Sequence, residues 1–176
     1  VERLKREGYW VLGVDVKELA APVDSLSICL SKGLAAPVGS VVCGPQAFIA
    51  EARRVRKVLG GGMRQAGVLA AAGIVALETM VDRLQEDHDN AKRLAEGIAR
   101  IEGLAIDLSK VYTDIVYFDV GGVGLTADTL IKRLKERGVR MLSVGPRRIR
   151  AVTHYGISAA DIDRTITVLQ EVTRPA

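Results

Sequence analysis

The apolar positions of this chain change period along its length, and the changes mark out its elements. Leu26-Ser27-Ile28-Cys29-Leu30 alternates apolar and small polar residues over strand length, and residues 39–43 form a second short run of strand character. Gly33, Pro37 and Gly39 punctuate the segment between them, so the two runs predict a hairpin or an adjacent pair joined by a turn-rich loop. Gly44-Pro45 then opens a helix with Pro in its first turn, and Phe48, Ile49, Ala52, Val55 and Val58 give that helix one apolar face. Gly60-Gly61-Gly62 breaks it and starts a long helix running to about Ala99. Residues 66–81 are apolar on several faces, which predicts close packing all round, whereas the pattern from Asp82 onward is amphipathic and charged. Upstream, residues 1–8 read as a short charged helix, and Val16, Leu19 and Ala20 keep helical spacing over about one turn.

The remainder has the pattern of a smaller α+β unit. Residues 115–120 predict a strand, and residues 126–137 a helix with Thr126 as N-cap. A second strand is expected over 139–144, ending at Gly145-Pro146, and a third over 148–154, where charged and apolar residues alternate. Residues 158–172 close the chain as a helix, with Ser158 capping it and Asp161 in its first turn. The expected boundary lies inside the long helix, dividing the chain into residues 1–85 and 86–176.

Composition narrows the function classes. A chain of 176 residues that is 48% hydrophobic has the makings of a globular core, enough for one domain or one and a fraction. Its formal net charge of +4 is spread among interleaved acids, and its clearest cluster, Arg53-Arg54-Val55-Arg56-Lys57, reads as a solvated helix face. Four Tyr, two Phe and one Trp leave no aromatic and basic interleaving of the kind that stacks bases, so no nucleic-acid partner is expected. No apolar run approaches the roughly 18 residues that cross a membrane, and residues 1–9 have no signal-peptide pattern, so the expectation is a soluble, cytoplasmic protein without a membrane partner. Cys29 and Cys43 lack the spacing of a zinc or redox motif and read as small buried hydrophobes in a reducing compartment. No His, Cys and acid grouping has metal-ligand spacing.

Several residues invite a chemical reading. Lys32, in Ser31-Lys32-Gly33-Leu34, sits between a strand-like run and a Gly/Pro segment; it is either an ordinary surface lysine or an amine at a cleft, able to attack a carbonyl carbon. Arg64 follows the glycine triplet at a helix start, where its fork of donors and the free N–H groups could hold a phosphate or where it is an exposed capping arginine. Arg150, between Ile149 and Ala151, suggests an inward-facing charge that needs a partner, either one of the chain's own acids or a ligand carboxylate. His88, among acids, reads as solvated, and His154 as structural.

Four blocks in order carry a resemblance: Leu30-Ser31-Lys32-Gly33-Leu34-Ala35-Ala36-Pro37-Val38-Gly39-Ser40; Arg56-Lys57 with Gly60-Gly61-Gly62-Met63-Arg64-Gln65-Ala66-Gly67; Gln85-Glu86-Asp87-His88-Asp89-Asn90-Ala91; and Arg150-Ala151-Val152-Thr153-His154. Together they resemble the low-specificity L-threonine aldolases, over nearly the whole chain from about Leu12. The resemblance implies an α/β fold class: part of an aspartate aminotransferase-like (fold type I) large domain, followed by a small α+β C-terminal domain. It implies pyridoxal 5'-phosphate as cofactor and cleavage of threonine or allo-threonine to glycine and acetaldehyde, in a homo-oligomer that is a dimer or tetramer. Carried over by position, Lys32 is the lysine that bears the cofactor, Arg64 and Lys57 lie near its phosphate, and Arg150 holds the substrate carboxylate.

The chain also departs from the family. An aspartate that holds the cofactor's ring nitrogen lies in an Asp-Gly-Ala-Arg segment there, and a gapless count from Gly13 puts Val1-Glu2-Arg3-Leu4 in that place. The expectation is therefore the C-terminal half of a threonine aldolase, inactive alone. The alternative is a non-catalytic remnant or interaction protein that pairs with a full-length aldolase subunit. Loss of sheet strands would leave an open edge and bare apolar surface, with residues 115–172 the more self-contained part.

Overall fold

The computed structural model describes residues 15–121 and 125–174, so the helix expected over residues 1–8 lies outside the described residues. The chain divides into two compact units, residues 1–84 and 85–176.

The first unit begins with α1 (Val16–Ala20), capped by the Asp15 carboxylate, which accepts from the Lys17 N–H. Next, β1 (Leu26–Cys29) and β2 (Ser40–Cys43) pair antiparallel, with Leu26 opposite Cys43 and Cys29 opposite Ser40. Helix α2 (Gln46–Val58) follows; Pro45 stands one position earlier than expected, as N-cap, and its carbonyl accepts from the Ile49 N–H. Gly60, at φ +84°, then reverses the backbone: the Gly60 N–H bonds Lys57 O and the Gly61 N–H bonds Arg56 O, the paired bonds of a Schellman stop.

The expected long helix is instead two, α3 (Gly67–Thr79) and α4 (Leu84–Ile98). The turn between them tucks Val81 and Leu84 into one small core with Leu30, Leu34, Ala36 and Ala76. The expected packing of residues 66–81 on several faces is corrected as well: only Gly73 and Ala76 of α3 are buried, while Val68, Ile74 and Val75 are exposed. The cysteines are both free, but Cys29 is exposed and Cys43 half-buried rather than interior.

The second unit holds a four-stranded antiparallel sheet in the order β3-β4-β6-β5, built from β3 (Leu104–Ala105), β4 (Ile115–Val120), β5 (Leu142–Ser143) and β6 (Arg148–Val152). One face is apolar: Val116, Phe118 and Val120 of β4 and Ile149 and Ala151 of β6 alternate into the core. Helices α4, α5 (Ala127–Glu136) and α6 (Ala159–Thr173) supply the other side through Ala91, Leu94, Ala95 and Ile98, Leu130 and Leu134, and Ile162 and Leu169. Each fully buried large side chain of this core contributes about 1.5–3 kcal/mol. Thr126 and Ser158 cap α5 and α6, the latter in a reciprocal box with Asp161.

Two strands are shorter than their patterns. The Val139 N–H bonds Leu134 O, closing α5 through Gly138 at φ +81°, and is thereby lost to the sheet. At the other end Thr153 leaves β6 by sending its hydroxyl to the Asp87 carbonyl, 2.7 Å away.

Candidate functional site

Lys32 lies in the loop that joins β1 to β2, and its backbone is fixed more firmly than its side chain. The Ala35 N–H bonds Lys32 O at 2.8 Å, and Ala35 itself takes φ 55°. The Leu30 N–H bonds Gly39 O while the Ala36 N–H bonds Leu30 O, both at 3.0 Å, so the loop closes on itself. Leu30, Leu34 and Ala36 anchor it in the core, and a Cβ at Gly33 would fall 2.7 Å from Leu84 Cδ2. The result is an exposed primary amine on an immobilised turn.

The glycine triplet receives a cation. A Cβ at Gly62 would fall 2.5 Å from Lys57 Cδ and 3.0 Å from its Nζ, so the lysine stem lies directly over the glycine backbone. Arg64 occupies the turn before α3, a helix whose N-terminus no side chain caps. Lys32, Lys57 and Arg64 are all exposed, and among the described residues no ion pair ties them down. They stand on three separate elements of the first unit.

Arg150 belongs to the second unit, and its direction corrects the expectation. Ile149 and Ala151 take the core face, so Arg150 projects from the opposite face, where it is half-buried. In the register it stands opposite Tyr117 of β4 and Leu142 of β5. Its Nε is out of water and makes no hydrogen bond. Among the described residues, no acid forms an ion pair or hydrogen bond with it.

The acid of β4 on that face, Asp119, is already engaged. Asp119 stands opposite Arg148, and the two meet in a bidentate pair, Nε to Oδ1 at 2.9 Å and Nη2 to Oδ2 at 2.8 Å. The hydrogen-bonded Arg148 guanidinium holds the Asp119 carboxyl below the usual carboxylate range. These two line a concavity of about 540 Å³ together with Ala105, Asp107, Lys110 and Tyr117. Sequence reasoning missed this pair. Alternation along β4 puts Tyr117 and Asp119 on one face, but which residue of β6 opposes each depends on register.

The histidines are peripheral. His154 is exposed, its Nδ1 2.8 Å from Tyr155 O, and His88 is half-buried rather than solvated. Among the described residues, no group of three or more His, Cys, Asp or Glu could hold a metal ion, and no helix is long and apolar enough to cross a membrane.

The beta-eliminating lyase family model matches residues 7–121 of this chain. The chain belongs to the beta-eliminating lyase family. It is 46% identical over 161 residues to low-specificity L-threonine aldolase 1 of Arabidopsis thaliana, an alignment covering 91% of this chain and 45% of the relative. It is 44% identical over 146 residues to the low specificity L-threonine aldolase of Escherichia coli K12, covering 83% of this chain and 42% of the relative. The chain thus spans less than half the length of these relatives. Among solved structures, a Listeria monocytogenes protein assigned as an L-allo-threonine aldolase superposes with a TM-score of 0.74 at 18% identity, over 93% of this chain and 48% of the other. Alanine–glyoxylate aminotransferase from a Nostoc species gives 0.65 at 19% identity, over 95% and 52%. The fold is therefore that of the fold type I enzymes expected from the sequence, shared in part.

Proposed function

We propose that this chain bears the cofactor lysine, the phosphate-side cations and the carboxylate arginine of a pyridoxal-phosphate-dependent aldolase that cleaves L-threonine and L-allo-threonine to glycine and acetaldehyde. The relatives' names supply the reaction class, and Arg150 is the observation in this structure that carries it. A half-buried guanidinium with an unbonded, desolvated Nε is costly unless an anion meets it, and a planar carboxylate matches its fork of donors.

The residues of the first unit suit the cofactor. Lys32 offers a primary amine on a fixed turn, the group to which a carbonyl carbon would be joined. Lys57, held across Gly62, and Arg64, ahead of the uncapped α3, offer positive charge to a phosphate. When bound, pyridoxal phosphate supplies the sink for the electron pair released as the Cα–Cβ bond breaks. Arg150 fixes the substrate at the carboxylate. Free Cys29 and Cys43 accord with a reducing, cytoplasmic setting, and we assign the working form to a homo-oligomer.

A second reading rests on the first unit's surface. Val58, Leu59, Met63, Val68, Ile74 and Val75 are all more than half exposed, against a core of six buried residues among those described. Such a surface fits a chain that is inactive alone and pairs with a full-length aldolase subunit.

Both readings meet one experiment. The purified chain is mixed with pyridoxal phosphate, visible absorbance is followed, and glycine is measured after L-threonine is added. A shifted absorbance that Lys32→Ala abolishes supports the lysine assignment, and absorbance indifferent to that substitution removes it. Absence of turnover by the chain alone, together with its co-purification with a full-length aldolase subunit, selects the second reading.

A further inference from the structure

Arg148 and Arg150 project from the same face of β6, two residues apart, yet among the described residues only Arg148 has a charged partner. Asp119 lies directly opposite Arg148 and diagonally across from Arg150, a neighbour about 7–8 Å away and within reach of an arginine's length. Left to itself, one carboxylate between two guanidiniums could settle on either. In this structure both of its oxygens are taken by Arg148. Arg150, opposite the uncharged Tyr117 and Leu142, keeps an unbonded Nε.

We propose that Arg148 is a positioning residue whose bidentate hold on Asp119 keeps that carboxylate away from Arg150, leaving Arg150 open to the carboxylate of an amino acid. The proposal rests on the reading of Arg150 as a carboxylate site. Its physical content is competition: an internal acid tethered beside the site acts at high effective concentration and would occupy the arginine that an external ligand needs. The ion pair is more than two-fifths exposed on both partners, so its value to stability is small. Shielding Arg150 is a separate role, and it is visible where stability is not.

The test uses the full chain labelled for NMR, with the arginine side-chain NεH signals and the Asp119 carboxyl carbon as readouts and L-threonine as probe. In the free protein, Arg148→Met is expected to shift the Arg150 NεH signal as Asp119 turns to it, and Arg148→Met/Asp119→Asn is expected to return it. On titration with L-threonine, Arg148→Met weakens binding seen at Arg150 about two- to fivefold, the scale of an exposed ion pair, and the double variant restores it. An Arg150 signal and an affinity that both ignore Arg148→Met would overturn the proposal. If L-threonine leaves Arg150 unmoved in the unsubstituted chain while Arg148→Met still shifts its signal, the shielding stands and the carboxylate reading of Arg150 fails. A shift that persists in the double variant would mean that Asp119 is not its cause, and the proposal falls.

Discussion

The Thr153 hydroxyl donates a hydrogen bond to the Asp87 backbone carbonyl oxygen at 2.7 Å, tying the residue just after β6 to the first turns of α4 within the second unit. Both residues are buried, at 2% and 0% exposure, so no water can replace the bond. The Thr153 N–H is engaged too, bonding Asp114 O at 2.9 Å. Because Arg150 lies three residues upstream on β6, this knot helps fix the strand that presents it. Thr153→Val keeps the shape and removes the donor, and should cost about 1–2 kcal/mol in urea unfolding. Thr153→Ser keeps the hydroxyl and should recover most of that loss; equal losses in the two variants would show that the methyl group matters rather than the bond.

Gly97 marks a close helix contact of a different kind. A Cβ there would fall 2.4 Å from Ile166 Cδ1 and 2.6 Å from its Cγ1, so α4 meets α6 over a bare backbone. Alanine in place of glycine gains about 1 kcal/mol of helix propensity, while overpacking a filled core costs about 1–3 kcal/mol. The clash involves the near as well as the far atoms of Ile166, and the overpacking term should win by about 1 kcal/mol. In an Ile166→Ala background the same Gly97→Ala change should become neutral or stabilising. Additive effects of the two substitutions would count against this packing account.

Acid should weaken the second unit through its capping and paired carboxylates. Hydrogen bonds from the Ser158 side chain, then its backbone, hold Asp161 below the usual carboxylate range, and the Arg148 hydrogen bond does the same for Asp119. A folded-state value below the unfolded one means stability that is present above the unfolded value of about 3.9 and is lost as pH falls through the folded value. Unfolding midpoints should therefore hold steady from about pH 7 to about pH 5 and drop at lower pH. Asp161→Ala should lower stability at neutral pH, and its deficit against the unsubstituted chain should shrink with acidification. A deficit unchanged at low pH would assign the loss to something other than the ionised cap.

How far the sequence carries depends on the range of the forces involved. Thr126 and Ser158 were legible as caps because a cap is decided within four residues, and the strand at Ile115–Val120 because its alternation needs only one buried face. The break between α3 and α4 was not, since no Pro or Gly marks residues 80–83; the turn exists to bury Val81 and Leu84. Residue 139 looked like strand because nothing local shows that its N–H closes the preceding helix. Arg150 was legible as a charge in need of a partner; its direction follows from the alternation with Ile149 and Ala151, but its neighbours, Tyr117 and Leu142, follow from register. The family blocks pointed to Lys32, Lys57, Arg64 and Arg150, whereas the Asp119 and Arg148 pair depends on which strands meet.

The two units should part company when they are separated. Every buried member of the second core, from Ala91 to Val172, lies within residues 85–176, so that segment expressed alone should fold cooperatively and give a single urea transition. Among its described residues the first unit has six buried apolar side chains and leaves Val58 at 73%, Leu59 at 79% and Val68 at 70% exposed, which is too little core and too much bare surface for independence. The full chain should consequently self-associate with rising concentration in sedimentation, while residues 85–176 stay monomeric. Lysine at Val58, Val68 and Ile74 should suppress that association without moving the transition of the second unit. A disordered NMR spectrum for residues 85–176, or a full chain that stays monomeric at high concentration, would show that stability is shared differently between the two units.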